Sequence, residues 1–282
     1  MLCARTRGRA IARSSTYMAC ADGFATGGTG LVGLELCRKA VSEGFNVIAI
    51  SRRGCPRGRP CADLSAVEWV TCDVTEEGAL HNIFRSHGPF DAVAHCVGAL
   101  FDGPSGLGFL NTLVSYCGSR PHAQTSYDVL TRQTAFEEIE LAERTCARTG
   151  AFVFISAAEA GWPTMRFGPS VEWLAPNWLR RYLAAKRAVE ARVELSELRG
   201  VVFRPSFVWR LDKLDILLPA LLFTVLNALG VPFCDRPVHV TTIVDAIFQA
   251  IQRPSVRGIQ RYTQMEELAA ASRRPAATTA GR

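Results

Sequence analysis

The stretch TGGTGLVG, residues 26–33, sets glycines at 27, 30 and 33 just ahead of LELCRKAV, an apolar pattern at helical spacing. Small residues at the mouth of a helix let the backbone approach a ligand closely. The amide N–H groups and the positive end of the helix dipole then face a phosphate. A small-residue turn without a ligand produces the same pattern, so the rest of the chain has to decide.

Outward from this turn, strand-like apolar runs alternate with helical patterns. FNVIAI (45–50), AVEWVTCDV (66–74), FDAVAHCVG (90–98), AFVFIS (151–156) and GVVFRP (200–205) read as the second to sixth strands. Helices are expected near 31–43, 76–86, 128–148 and 179–198. The alternation predicts an α/β fold, a Rossmann-type doubly wound parallel sheet. The first strand is the weak point. YMACADGFAT precedes the glycines, and Asp22-Gly23 is turn chemistry inside a would-be central strand. Either a short strand runs from Phe24 to Thr26, or the amino terminus departs from the fold. Two stretches break the rhythm, 101–126 after the fourth strand and 158–178 after the fifth. Loops at the carboxyl ends of strands line the ligand crevice of such sheets. Both stretches are therefore expected to shape or cover a pocket, with surface decoration as the alternative.

The bulk numbers bound the function. With 282 residues, 48% hydrophobic and 21% charged, the chain suits one large α/β domain. The net charge of +6 comes partly from Arg5, Arg7, Arg9 and Arg13 at one end and Arg273, Arg274 and Arg282 at the other. No dense basic patch interleaved with aromatics argues for nucleic acid. The ten cysteines are scattered, none forms CxxC, and the five histidines are not clustered, so no metal site is expected and the thiols read as reduced. Residues 1–16 carry four arginines and no acid, the composition of a mitochondrial or plastid transit peptide; a disordered basic tail is the alternative. No apolar run is long enough to span a bilayer. The nearest, ILLPALLFTVLNALGVPF (216–233), is interrupted by Pro219, Asn227, Gly230 and Pro232. It reads as a core helix of a small C-terminal lobe formed largely by 206–236, as a lid over an apolar pocket, or as a surface for peripheral membrane association. A single domain is expected over 17–265, with a disordered tail from 266 to 282.

At the end of the second strand a dinucleotide fold selects its cofactor. A carboxylate there binds a ribose 2′-OH, whereas an arginine pairs with a 2′-phosphate. Here Ser51, Arg52 and Arg53 occupy the turn, so NADP(H) is favoured and NAD(H) is the alternative; solvated loop charge is the bland reading. Asp73 and Val74, closing the third strand, either flank the adenine or, for Asp73, cap the helix before Glu76 and Glu77. In RYLAAKRAVEA, Tyr182 and Lys186 are four apart and share a helical face. An ammonium beside a phenol stabilises the phenolate, which lowers its pKa toward neutrality.

GGTGLVG, SRRG, HCVGAL, FVFISAAE, YLAAKRAVEA and RPSFVW, taken together, resemble an atypical short-chain dehydrogenase/reductase. More narrowly, ISAAE with RYLAAKRAVEARV and VVFRPSFVW resembles one branch of it. That branch holds the Rossmann accessory subunit of mitochondrial respiratory complex I, a mitochondrial protein associated with ubiquinone biosynthesis in fungi, and plastid relatives. The likeness spans roughly residues 26–265. It implies a pyrophosphate held at Gly27, Thr29, Gly30, Leu31 and Gly33, and a 2′-phosphate at Arg52 or Arg53. Cys96, Val97 and Gly98 would pass beneath the cofactor. Tyr182 and Lys186 would lie beside the nicotinamide ribose, and Pro205 and Ser206 at the nicotinamide. Two departures weaken hydride transfer without touching nucleotide binding. Ala157 stands where catalytic members carry a hydroxyl, with Ser156 as a possible stand-in, and Thr131 stands where an asparagine is usual. The resemblance therefore implies an NADP(H)-binding organelle protein serving quinone biosynthesis or complex I with weak or no turnover. An active oxidoreductase or epimerase using Tyr182, Lys186 and Ser156 is the second reading, and a cofactor-free interaction module the third.

Overall fold

The computed structural model describes residues 22–56, 62–111, 125–146, 150–211, 221, 224, 225, 227–229 and 235–273. Its strands are β1 (Asp22–Thr26), β2 (Asn46–Ser51), β3 (Val67–Thr71), β4 (Ala92–His95), β5 (Ala151–Ile155), β6 (Arg199–Phe203), β7 (Val208–Trp209), β8 (Val238–His239) and β9 (Gly258–Gln260). Seven of them form a parallel sheet in the order β3-β2-β1-β4-β5-β6-β9, and β7 pairs with β8 apart from it. The strand order reverses between β1 and β4, which opens a crevice at their carboxyl ends. This is the Rossmann-type α/β fold that the alternating pattern predicts. The sequence reading has no counterpart for β7 or β9, because runs of two and three residues carry no readable period.

The helices are α1 (Leu31–Ser42), α2 (Ala79–His87), α3 (Thr134–Thr145), α4 (Gly168–Leu174), α5 (Asn177–Glu194), α6 (Val240–Gln252) and α7 (Tyr262–Arg273). They cover both faces because successive strand side chains point to opposite sides. Phe152 and Phe154 of β5 pack with Leu80 and Phe84 of α2, Ile139 of α3 and Val189 of α5. Val153, between them, packs with Leu36 of α1, Ile243 and Ile247 of α6 and Met265 of α7. A strand buried on both faces reads as a continuous apolar run, which is why AFVFI was legible.

The first strand resolves in favour of the fold. β1 runs from Asp22 and pairs with both β2 and β4, Gly23 lying opposite Val47 and Ala92. A Cβ on Gly23 would come only within 3.8 Å of the Asn46 carbonyl oxygen, an ordinary contact. Tertiary pairing on both edges overrides the local turn preference of Asp-Gly.

Three boundaries shift. The second helix starts at Ala79 after Gly78, which has φ +72°, so Asp73 is not its cap. The region 128–148 opens as a π-helical turn, Asp128–Gln133, before α3. Helix α7 continues to Arg273 and buries Met265, Leu268 and Ala269, so the residues from 266 to 273 are structured rather than a tail. The expected leader at 1–16, most of the apolar run at 216–233 and the end from 274 lie outside the described residues. Among the described residues, no helix is long and apolar enough to cross a membrane, and no cluster of His, Cys, Asp or Glu could hold a metal ion.

Candidate functional site

The glycine turn is fixed by close backbone approach. Gly27 leaves β1 with φ +70°, and a Cβ on it would lie 2.7 Å from the Cys96 carbonyl oxygen. A Cβ on Gly33 would sit 2.4 Å from the Gly27 carbonyl oxygen, and one on Gly28 would sit 2.8 Å from the Ala49 Cβ. The Gly30 amide donates to the Gly27 carbonyl at 2.8 Å, closing the turn, and Gly28 N donates to Ile50 O at 3.0 Å. Gly28, which the three-residue spacing passes over, is as constrained as the rest. Helix α1 begins after Gly30 with no side-chain cap. Its first-turn amides therefore remain donors at the mouth of the crevice.

A cavity of about 790 Å³ extends from this turn along the carboxyl ends of the strands. Of the residues the sequence singles out, Gly27, Thr29, Gly30, Leu31, Ser51, Arg52, Asp73, Val74, Cys96, Val97, Gly98, Ser156, Tyr182, Lys186, Pro205 and Ser206 line it. Gly33 and Arg53 are not among the lining residues. Gly33 is buried where α1 crosses the turn, and Arg53 is exposed past β2. Asp73 accepts from Thr75 N at 3.0 Å and Thr75 Oγ1 at 2.8 Å, an Asx turn at the end of β3 in place of a helix cap. Both rhythm-breaking stretches wall the cavity, through Asn111 and Thr125 of the first and Glu159, Trp162, Val171 and Trp178 of the second. Position at the carboxyl end of a strand was the signal for those segments; the individual residues had none.

At the other end of the cavity lie Tyr182 and Lys186. Lys186 is buried, and its Nζ donates to the Ile155 carbonyl at 2.7 Å and lies 5.6 Å from the Tyr182 ring centroid. Burial lowers the lysine to about 8, with Glu190 and Cys96 acting the other way. The tyrosine ring packs edge-on against Tyr127, centroids 5.5 Å apart. Burial pushes the Tyr182 phenol up, and nearby Glu159 and Tyr127 push it further. The expected lowering of the phenol pKa is therefore reversed: desolvation of the ring outweighs a lysine that is itself desolvated and turned toward a carbonyl.

Ser156 and Ala157 both line the cavity, because β5 ends at Ile155 and strict alternation ends with it. The Ser156 amide donates to Phe203 O at 2.7 Å, and its Oγ is buried with no hydrogen-bond partner. Ala157 contributes only a methyl. Thr131 is fully buried in the π turn, its Oγ1 also without a partner, and it does not line the cavity, whereas Leu130 does. Under the β1–β4 crossover lies a buried pair that sequence reasoning missed. His95 Nδ1 is 3.0 Å from Glu138 Oε2, which also accepts from Thr26 Oγ1 at 3.3 Å.

Residues 24–107 match the model of the NAD dependent epimerase/dehydratase family. The yeast (Saccharomyces cerevisiae) protein MIOREX complex component 2 is 24% identical over 215 residues, 65% of this chain and 71% of its own. The chloroplastic divinyl chlorophyllide a 8-vinyl-reductase of Oryza sativa subsp. indica is 35% identical over 95 residues, 32% of this chain and 22% of its own length. Among solved structures, the Bordetella bronchiseptica enzyme WbmH in complex with NAD+ has a TM-score of 0.56 at 17% identity, over 86% of this chain and 76% of that one. A small-chain dehydrogenase in complex with NADPH has a TM-score of 0.55 at 14% identity, over 89% of this chain and 100% of that one. The chain has the Rossmann-type α/β fold of these solved structures.

Proposed function

We propose that the cavity binds a nicotinamide dinucleotide, NADP(H) in preference to NAD(H). The observation that carries this is the turn at Gly27–Gly33. Side chains at Gly27 and Gly33 would collide with backbone, and the uncapped amides of α1 face the opening. A chain has little reason to keep so tight a glycine turn at a cavity mouth unless an anion is to sit there. In this reading Gly27, Thr29, Gly30 and Leu31 hold the diphosphate, Arg52 pairs with the 2′-phosphate, Asp73 and Val74 border the adenine, and Cys96, Val97 and Gly98 underlie the cofactor. Tyr182 and Lys186 stand at the nicotinamide ribose, with Pro205 and Ser206 at the ring. Such a nucleotide supplies or accepts a hydride at its nicotinamide when bound.

The same reading makes turnover through Tyr182 weak or absent. A phenol raised by burial is a poor base near neutrality, and Ala157 leaves a substrate carbonyl one donor short. Nucleotide binding joined to weak turnover suits a protein serving quinone biosynthesis or respiratory complex I in an organelle, mitochondrial before plastid. Similarity to a component of a yeast complex and to a chloroplastic reductase supports an organellar setting. The direct experiment is mass spectrometry of the nucleotide released on denaturing natively purified protein, with a blue-native gel to establish whether the protein migrates free or in a complex. Recovery of NADP(H) is the expected result; release of no nucleotide, with no binding of added NADPH, defeats the reading.

A further inference from the structure

Helix α4 and its flanks are apolar on two sides. On the inner side Met165, Val171 and Ala175 pack with Trp162 and Leu183, and Trp162 and Val171 line the cavity. On the outer side three large side chains are left in solvent: Phe167 is 65% exposed, Trp173 74% and Leu174 75%. A helix apolar on both sides is ordinarily buried on both. The backbone gives a second, independent sign. Phe167 has φ +65°, the only positive value at a non-glycine among the described residues. The turn around it is tight: a Cβ on the next residue, Gly168, would run into the Trp162 carbonyl, and the Val171 amide donates to the Phe167 carbonyl at 3.1 Å. Bulky L residues avoid this region of φ, where glycine or asparagine is the ordinary occupant. A phenylalanine held there and left exposed gains no burial in the free chain to offset the strain. The charge nearby is basic. Glu172 is matched by Arg187, and Arg181 by Asp102 at 3.1 Å. Arg166 lies over the Phe167 ring, 5.0 Å from its centroid, and Arg180 donates to the neutral Asn177 side chain. Neither has a carboxylate partner among the described residues.

We propose that Phe167, Trp173 and Leu174, with Arg166 and Arg180, form a docking surface for an anionic lipid bilayer. Charge and area select this occupant. Two arginines without a carboxylate partner suit a surface of phosphates, and tryptophan, phenylalanine, leucine and arginine are the side chains that settle at headgroup depth. The three apolar side chains expose on the order of 400–500 Å², short of the roughly 800 Å² that each partner gives to a standard protein interface. A bilayer requires neither that area nor a complementary shape. None of the five residues lines the cavity, so the surface stands independently of the nucleotide reading, and it is separate from the run at 216–233. With the bilayer in place, α4 stands between the lipid and the cavity.

The test uses the full chain with vesicles of phosphatidylcholine, alone or with about 30% phosphatidylglycerol, read by co-sedimentation at low and high salt. The wild type is expected to bind the anionic vesicles, and to bind about twentyfold less tightly at about 0.5 M salt or on the neutral vesicles. Arg166→Gln and Arg180→Gln should each lose about fivefold on anionic vesicles and nothing on neutral ones. Phe167→Asn should weaken binding to both about tenfold. Because asparagine tolerates φ +65°, that variant should melt no lower than the wild type; a structural role for Phe167 would lower its melting temperature instead. Trp173→Ser should also lose about tenfold. Leu195→Ser, which removes a leucine 81% exposed at the far end of α5, should change nothing. No binding to anionic vesicles, equal binding to neutral ones, or an equal loss in Leu195→Ser overturns the surface. So does a wild-type dimer in sedimentation equilibrium that Phe167→Asn converts to monomer, since a second copy would then be the occupant. NADPH titration of the same samples separates the two readings: vesicle binding without NADPH binding defeats the nucleotide reading alone.

Discussion

The two ends of the cavity are built by different means. At the β1 end, backbone meets backbone: Gly27 against Cys96, Gly33 against Gly27, Gly30 N on Gly27 O. Nothing there depends on a rotamer or a protonation state. At the β5 end, side chains from β5, the 158–178 segment and α5 converge, and their ionisation is set by how much water they have lost. The first end recognises a fixed shape. The second presents side chains whose protonation depends on their surroundings, which is where a fold shared by many chemistries diverges.

The largest effect that could break this contrast is at the rigid end. Gly33→Ala forces a Cβ into the Gly27 carbonyl, and overpacking of this kind costs about 1–3 kcal/mol. Dinucleotide affinity should fall about a hundredfold by calorimetry. Unchanged affinity would mean that the turn holds no nucleotide. Next, Arg52→Ala with Arg53→Ala should weaken NADPH about tenfold and leave NADH within about twofold, the difference a charge-assisted phosphate contact makes. Equal losses would remove the basis for preferring the phosphorylated cofactor.

The β5 end is sharpened by pH. The Glu159 carboxyl rises from an ordinary 4.5 to about 7, so the folded state holds that proton more tightly than the unfolded chain. Its stabilising share is complete below about 4.5 and is lost as pH climbs through about 7. Glu159→Gln should therefore melt with the wild type at acid pH and a few degrees above it at pH about 8.5, about 2–4 °C for each kcal/mol in a chain of this size. A constant offset at all pH values would refute the shift. The smallest effect belongs to Tyr182→Phe. It should change NADPH affinity by no more than about twofold, because the substitution removes one neutral hydroxyl and no charge; a tenfold loss would restore the tyrosine as a central ligand.

Much of this was legible from local pattern. The glycine turn, the five later strands and the carboxyl-end insertions each rest on short-range rules of sterics and periodicity. Asp22-Gly23 misled because turn preference is local, whereas β1 is held by partners 24 and 69 residues away. Gly28 was hidden because its constraint comes from Ala49 on the adjacent strand. Glu159 stands in the quoted ISAAE but gave no signal of a role: AAEA is bland until α5 lays Tyr182 beside it.

Sequence alone determined where the chain must bend and which runs must be buried, since steric limits on glycine and alternation of side chains act within a few residues. Only the tertiary structure decided protonation. Spacing put Tyr182 and Lys186 on one helical face, but the direction of their shifts came from desolvation by distant segments. Loss of water is a property of everything packed around a group, and no stretch of chain carries that information by itself.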